Sequence, residues 1–379
     1  MPPSKKPEST RAGRFVTQLQ GYKAFQPSPL PPALKQDEEM TDLLNRATHA
    51  VGKLSGLSSI IPNLDLFVYL YVRKEALLSS QIEGTQCSLE DILNTKTTSS
   101  QDIEEVSSYI NAMNQGLTRL AELPMSARLI KDLHTYLMHG VRGSNKTPGE
   151  FRRSQNWIGR PGSTLTTAAF VPPPPEDVAR LIVELEQFIH GHDKIPLLIK
   201  IALIHAQFET IHPFLDGNGR LGRLLITFLL VYWQVLETPL LYTSYYFKAH
   251  RTEYYTRLMD IRLHGNWEAW ITFFLRAVLE SAEMSAQSAI EIHKLITTDR
   301  ARIHTPLALR TYDLFCREPT LTNPILVMKL KSSKPTVQRA LNYLQNLGII
   351  QKTSTKRPHR YTYQPYLDVL TRDTLTQIG

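Results

Sequence analysis

From position 212 the chain reads HPFLDGNGRLGRLL, setting a histidine, a carboxylate, three glycines and two arginines close together where two apolar segments meet. Glycines that open a helix leave its first N–H groups bare and allow close backbone approach, so Gly217, Gly219 and Gly222 beside a helix start make a site for a polyphosphate. Arg220 and Arg223 add fixed positive charge to it. Asp216 is placed to hold Mg²⁺, which generally binds through one or two carboxylates plus substrate phosphates. His212, with an ordinary pKa of about 6.5, is largely neutral at cellular pH and able to take a proton, and a nearby helix N-terminus favours that neutral form further.

Other readings explain fewer of these residues. Gly217, Gly219 and Gly222 satisfy G-x-G-x-x-G, but a long helical pattern carrying Lys200, His205 and Glu209 precedes them, where a dinucleotide-binding turn needs a short strand. Asp216 and Asn218 resemble the start of a calcium loop, yet Arg220, Leu221 and Thr227 stand where an acid, a glycine and a bidentate glutamate belong. A tight turn between two helices remains as the bland alternative, and it leaves the histidine and both arginines unexplained.

The elements that must position this cluster are mostly helices. Apolar residues recur at three- and four-residue spacing over 177–189, 195–211, 220–236 and 267–284. Hairpins are expected over 154–175 and 349–363. At 379 residues and 42% hydrophobic, the chain is long enough to bury a core in two or three domains. MPPSKKPESTRAG has no apolar signal region, and the longest apolar run, from Leu224, is too short to span a bilayer, so no membrane association is expected. Two cysteines, Cys87 and Cys316, make no disulfide framework and suit a reducing cytoplasm.

Charge divides unevenly. Residues 301–379 hold 12 Lys/Arg against 4 Asp/Glu, which equals the whole chain's +8 and leaves residues 1–300 neutral in sum. The tail, with its Lys, Pro and Ser, reads as disordered.

His212-Pro-Phe214-x-Asp216-Gly217-Asn218-Gly219-Arg220-x-x-Arg223 resembles the Fic family signature H-x-F-x-[DE]-G-N-G-R-x-x-R at every defined position. Weaker similarity extends from about Leu30 to Leu279. It includes GEFRRSQNWIG (149–159), like the lead into the family's flap, and residues 254–275, like the helices closing the nucleotide pocket. The resemblance implies a mainly α fold, a Fic-type helical bundle with a β-hairpin flap, and an adenylyltransferase that moves AMP from ATP to a protein hydroxyl (AMPylation). Lysine at the position of Gly219 would mark the kinase-like branch, which is disfavoured. By the same resemblance, His212 is the general base toward a target Ser, Thr or Tyr. Asp216 holds Mg²⁺ against the phosphates, and the loop from Gly217 through Asn218, Gly219, Arg220, Leu221 and Gly222 to Arg223 cradles them. Phe214 anchors the loop. Tyr254 and Tyr255 are candidate walls of the adenine site, core packing being the alternative, and residues 160–170 would form a flap that pins the target by strand addition.

Upstream, LLSSQIEGT (77–85) ends a helix-periodic run, with Gly84 suited to terminate it. Ser79-x-x-x-Glu83-Gly84 resembles the family's inhibitory motif [ST]-x-x-x-E-[GN] in its N-terminal-helix class. Glu83 is then expected to pair bidentately with Arg223 where a γ-phosphate would sit. The basic C-terminal segment follows the order of a winged helix-turn-helix, with Lys334, Thr336, Gln338, Arg339 and Asn342 as candidates for the exposed face of its recognition-like helix, able to contact DNA or protein. The expected domains are a disordered basic tail (1–29), an N-terminal helical region with the inhibitory helix (30–105), the catalytic core (106–285), and a linker helix with the winged helix (286–379). An AMP transferase inhibited by Glu83 leads. A DNA-binding regulator with a nucleotide-sensing core, and de-AMPylation using Glu83, are the alternatives. A homodimer is left open.

Overall fold

A computed structural model describes residues 9–58, 61, 64–93, 100–140, 145–160, 162–353 and 358–372. Strands β1 (Ser9–Thr10), β2 (Gly13–Thr17) and β3 (Lys23–Pro27) come first, in an antiparallel meander where Phe15 pairs with Phe25. The expected disordered tail over 1–29 therefore fails for residues 9–27, while residues 1–8 lie outside the described residues. Ala24 and Phe25 are buried, Phe25 N–H donates to Val171 O (2.9 Å), and Arg11 Nε donates to Gly265 O (2.6 Å). Each strand is short and buries only part of itself, so the Lys, Pro and Ser around it dominate the composition.

Helices follow: α1 (Glu38–Leu57), α2 (Leu64–Ile82), α3 (Leu89–Leu93), α4 (Gln101–Leu120), α5 (Ala127–Leu137), α6 (Pro175–His190), α7 (Leu197–Ile211), α8 (Asn218–Tyr232), α9 (Ser244–Ala249), α10 (Arg251–His264), and α11 (Trp267–Ala301). The chain packs as two compact units. One takes the residues up to Gly52 with Val72–Ala282, the other Lys53–Tyr71 with the chain from Glu283 onward. The second unit thus includes a stretch that the sequence assigned to the N-terminal helical region.

In the first unit α7 is the central element, packed by α6, α8 and α10. It is apolar around its circumference and buried from Leu198 to Ile211, as such a pattern requires. Its lone lysine, Lys200, is neutralised by Asp193 (2.8 Å). The expected 154–175 hairpin is reduced to one antiparallel bridge, Ile158 to Phe170 (N–H···O 2.8 and 3.0 Å). The run Pro172–Pro175 has no N–H groups with which to extend it. Behind the bridge, Tyr22 and Ala24 of the meander pack with Ala168 and Val171.

The second unit runs α12 (Pro306–Arg317), β4 (Thr320–Thr322), α13 (Asn323–Leu330), α14 (Lys334–Asn346), β5 (Gln351–Lys352), β6 (Arg360–Thr362) and α15 (Gln364–Thr371), with the antiparallel sheet ordered β4-β6-β5. Residues 354–357, at the tip of the expected 349–363 hairpin, lie outside the described residues. On α14, Lys334, Arg339 and Asn342 are exposed and Thr336 and Gln338 half-buried. Among the described residues no helix is long and apolar enough to cross a membrane.

Candidate active site

Helix α7 ends at His212, whose backbone turns into the left-handed region (φ 49°, ψ 61°). Such a conformation is uncommon for a side-chain-bearing residue and must be held in place. Arg152, itself buried, holds it. Its Nε donates to His212 O (2.9 Å) and its Nη2 to Ile211 O (3.3 Å) and Pro173 O (2.5 Å), while Asn156 Nδ2 reaches Phe214 O (2.9 Å). Phe214 is buried as expected, its ring stacked on His134 (3.8 Å between centroids, 8° between planes).

Asn218 closes the loop. Its buried side chain accepts from Phe214 N–H (2.9 Å) and donates to Phe214 O (2.8 Å). His134 fixes the far side: Nδ1 accepts from Gly149 N–H (2.9 Å), so Nε2 carries the proton and donates to Asp216 O (3.0 Å). Burial pushes this imidazole down to about 4. Gly217 enters α8 at φ 75°. At Gly219 a Cβ would come within 2.3 Å of Glu83 Oε1, and at Gly222 within 2.3 Å of Glu209 Oε1, so both glycines permit a close approach.

Above this loop lies a cavity of about 370 Å³, walled by His212, Asp216 and the 217–220 backbone on one side and by Glu83, Asp102 and Glu105 on the other. Its size suits a small molecule. His212 is pulled down to about 3, first by burial and then by Arg262 and Arg152, against the Glu209 backbone. It is a neutral base at working pH. Asp216 leaves its carboxylate part-exposed, with Oδ1 accepting from Gly217 N–H (2.7 Å). Arg220 lies 3.9 Å from Glu105 and 3.8 Å from Asp216.

Arg223 is buried, and its donors are shared. Nε donates to Ser79 Oγ (2.9 Å), and Nη2 donates to Ser79 O (2.9 Å) and Glu83 Oε1 (2.7 Å). The two distant motifs meet, but the expected bidentate fork is a single contact to Glu83, made by the Nη2 that also serves Ser79, while Nη1 is buried with no hydrogen-bond partner among the described residues. Gly84 ends the turn after α2 at φ 105°.

Tyr254 is buried, and its hydroxyl donates to His205 Nε2 (2.9 Å) while His205 Nδ1 donates to Gly222 O (2.9 Å). That places its ring in the core, bracing α8 from behind. Tyr255 is half-buried against Tyr254, with Arg251 over its ring. Leu221 is fully buried, so only its backbone is left for phosphate.

Arg152, Asn156, His134 and Glu209 are site residues that the motif does not name. Arg152 and Asn156 lie in GEFRRSQNWIG, where an arginine before a strand-like segment was the available signal. A lone histidine in LHTYL gave none. Glu209, raised to about 7 by burial, is the buried carboxyl behind Gly222.

This helical fold, with a glycine-opened helix under a histidine, is of Fic type. Residues 41–118 match the family model described as Fic/DOC family N-terminal, and residues 124–230 match that of the Fic/DOC family, so the chain carries both of these domains. A probable protein adenylyltransferase of Aquifex aeolicus is 29% identical over 174 residues, 44% of this chain and 50% of that protein. The protein adenylyltransferase Fic of Drosophila yakuba is 39% identical over 125 residues, 32% of this chain and 22% of its own. The chain therefore spans about half the length of one curated relative and about a fifth of the other. A Fic family protein from Desulfovibrio desulfuricans shares the fold over 88% of this chain and 98% of its own (TM-score 0.60, 20% identity). A Fic domain signalling protein from Bacteroides thetaiotaomicron shares it over 68% and 97% (TM-score 0.50, 19% identity).

Proposed function

We propose that this chain is a protein adenylyltransferase, transferring AMP from ATP to a Ser, Thr or Tyr hydroxyl of a protein, its own chain included. The observation that carries the reading is a neutral His212 at the wall of a cavity whose floor is the glycine-opened start of α8. The target oxygen attacks the α-phosphorus and its proton goes to His212, as the bond to pyrophosphate breaks. Backbone N–H groups of Asn218 and Gly219 and the guanidinium of Arg220 face the charge that builds on the phosphates.

Among the described residues no three His, Cys, Asp or Glu side chains converge on a metal position. The single part-exposed carboxylate of Asp216 fits Mg²⁺ only if the nucleotide's own oxygens complete the shell, the usual arrangement for that ion. When bound there, Mg²⁺ would neutralise phosphate charge. Glu83, paired with Arg223, keeps that arginine from a terminal phosphate and so restrains the transfer.

With ATP labelled at the α-phosphate and a cell lysate as acceptor, the wild-type chain should label discrete proteins. His212→Ala should lose transfer by ~10² to 10⁴ while still binding ATP. An undiminished rate in that variant would remove His212 from the mechanism.

A second activity is favoured by charge. Residues 301–379, within the second unit, carry a net charge of +8, equal to that of the whole chain, and Lys334, Arg339 and Asn342 on α14 with Lys352 on β5 are exposed. We read it as a winged helix that contacts duplex DNA through phosphates. Affinity for a DNA duplex should then fall with added salt, by about 0.9 in log–log slope per phosphate contact. No affinity at low salt would make it a protein-docking module.

A further inference from the structure

Glu83 is part-exposed and holds Arg223 through one contact, a weak restraint by itself. What keeps it there is the placement of α2. Residues 75, 79 and 83 follow at four-residue spacing, so Glu75 and Ser79 share a face of the helix with Glu83 in its terminating turn.

Glu75 is buried and has three donors from two other elements. Ser244 Oγ (2.5 Å) and Ser244 N–H (3.3 Å) come from the start of α9, and Tyr109 OH (3.2 Å) comes from α4. Tyr109 also hydrogen-bonds Ser79, the residue that takes the Nε of Arg223. A buried polar chain therefore runs from Ser244 through Glu75, Tyr109 and Ser79 to Arg223. Rolling α2 by one residue would turn Glu75 about 100° and take a buried carboxyl away from its three donors. Burial raises the Glu75 carboxyl, while the Ser244 and Tyr109 hydrogen bonds and nearby Arg223 pull against it.

We infer that Glu75 is the positioning residue of the inhibitory contact: through Ser244 and Tyr109 it fixes the roll of α2 that sets Glu83 on Arg223. It touches neither nucleotide nor target. Weakening it shifts α2 away from the docked state and raises the competent fraction of molecules, up to the ceiling set by removing Glu83 itself. The inference rests on the reading of Glu83 as inhibitory.

The test compares initial rates of AMP self-incorporation for the full chain as wild type, Glu75→Gln, Glu83→Gly and the double variant, at saturating ATP and Mg²⁺. Glu75→Gln should be faster than wild type by about twofold to tenfold, the size of one lost ordinary hydrogen bond. The double variant should match Glu83→Gly, because Glu75 acts only through Glu83. Backbone amide exchange over residues 72–83 should quicken in Glu75→Gln. A wild-type rate for Glu75→Gln, or an increase added on top of Glu83→Gly, overturns the inference, as does a double variant slower than Glu83→Gly. Should Glu75→Gln not fold, Tyr109→Phe and Ser244→Ala each remove one donor, and wild-type rates for both overturn it too. If Glu83→Gly is no faster than wild type, the inhibitory reading itself falls and this inference with it. If Glu83→Gly is faster and the Glu75 variant is not, only the role of Glu75 falls.

Discussion

His134, His205 and His212 are all held below the ordinary histidine range, at about 4, 3 and 3, with burial the first cause in each. The same residues titrate near 6.5 in an unfolded chain. Between about pH 4 and 6.5 the unfolded chain therefore binds protons that the folded chain refuses, and stability rises with pH across that window. Each histidine contributes up to about 1.4 kcal/mol per pH unit. Glu209, raised to about 7, and Glu75, also raised by burial, act in the other direction, because the folded chain keeps their protons after the unfolded chain has lost them. Below about pH 6, where all three imidazoles are largely charged in the unfolded chain, three groups oppose two and the net slope is positive. The melting temperature should fall steadily as pH drops from about 6 to 4.5, and a flat or rising value on acidification would mean that these imidazoles are charged in the folded state. The imidazoles of His134 and His205 serve the loop through their tautomers, each donating to a backbone carbonyl that only a neutral ring with a fixed proton can satisfy while its other nitrogen accepts.

At the scale of elements, the helices around the site were legible because α7 and α8 are apolar over most of their surface and their junction holds a dense motif. The continuity of α11 was not. The sequence reads as a periodic helix over 267–284 and a separate linker helix from 286, whereas one helix runs from Trp267 to Ala301, because Ala286, Ala289, Ile292 and Ile296 are buried between polar residues and small side chains carry little hydropathy. The N-terminal meander was missed for a related reason, and it has a consequence for the target side. Phe25 and Ala24 back the segment that ends the flap, through the Phe25 N–H to Val171 O bond and the packing of Tyr22 and Ala24 on Ala168 and Val171. Deleting residues 1–27 should leave ATP binding intact. It should lower transfer to an added acceptor protein on the order of 10²-fold, the usual effect of small misplacement at a reacting centre. Measured by ATP titration and transfer rate on one preparation, equal loss of both would mean that the meander supports the fold rather than the flap. In the site, the signature loop was legible as a motif, and it lies at the junction of α7 and α8 beside the cavity. Arg152, Asn156 and His134 were not, since each acts by binding a backbone carbonyl that any sequence possesses.

Across the whole chain, two motifs 140 positions apart converge on one guanidinium, Arg223, whose Nε and Nη2 donate to Ser79 and Glu83. No local pattern contains that contact. It exists because α2 reaches α8, and the resemblance to a known family supplied the expectation that the fold then bore on. The most direct measurement of the account is AMP incorporation by intact mass at saturating ATP and Mg²⁺, for wild type, Glu83→Gly and Arg223→Ala. A misplacement of ~1 Å costs about 10²-fold in rate, so Glu83→Gly should incorporate far more AMP than wild type with little change in ATP affinity. Arg223→Ala should stay inactive, because the phosphates need that arginine. Equal incorporation by wild type and Glu83→Gly, or activation by Arg223→Ala, would contradict a transferase restrained by the Glu83–Arg223 pair.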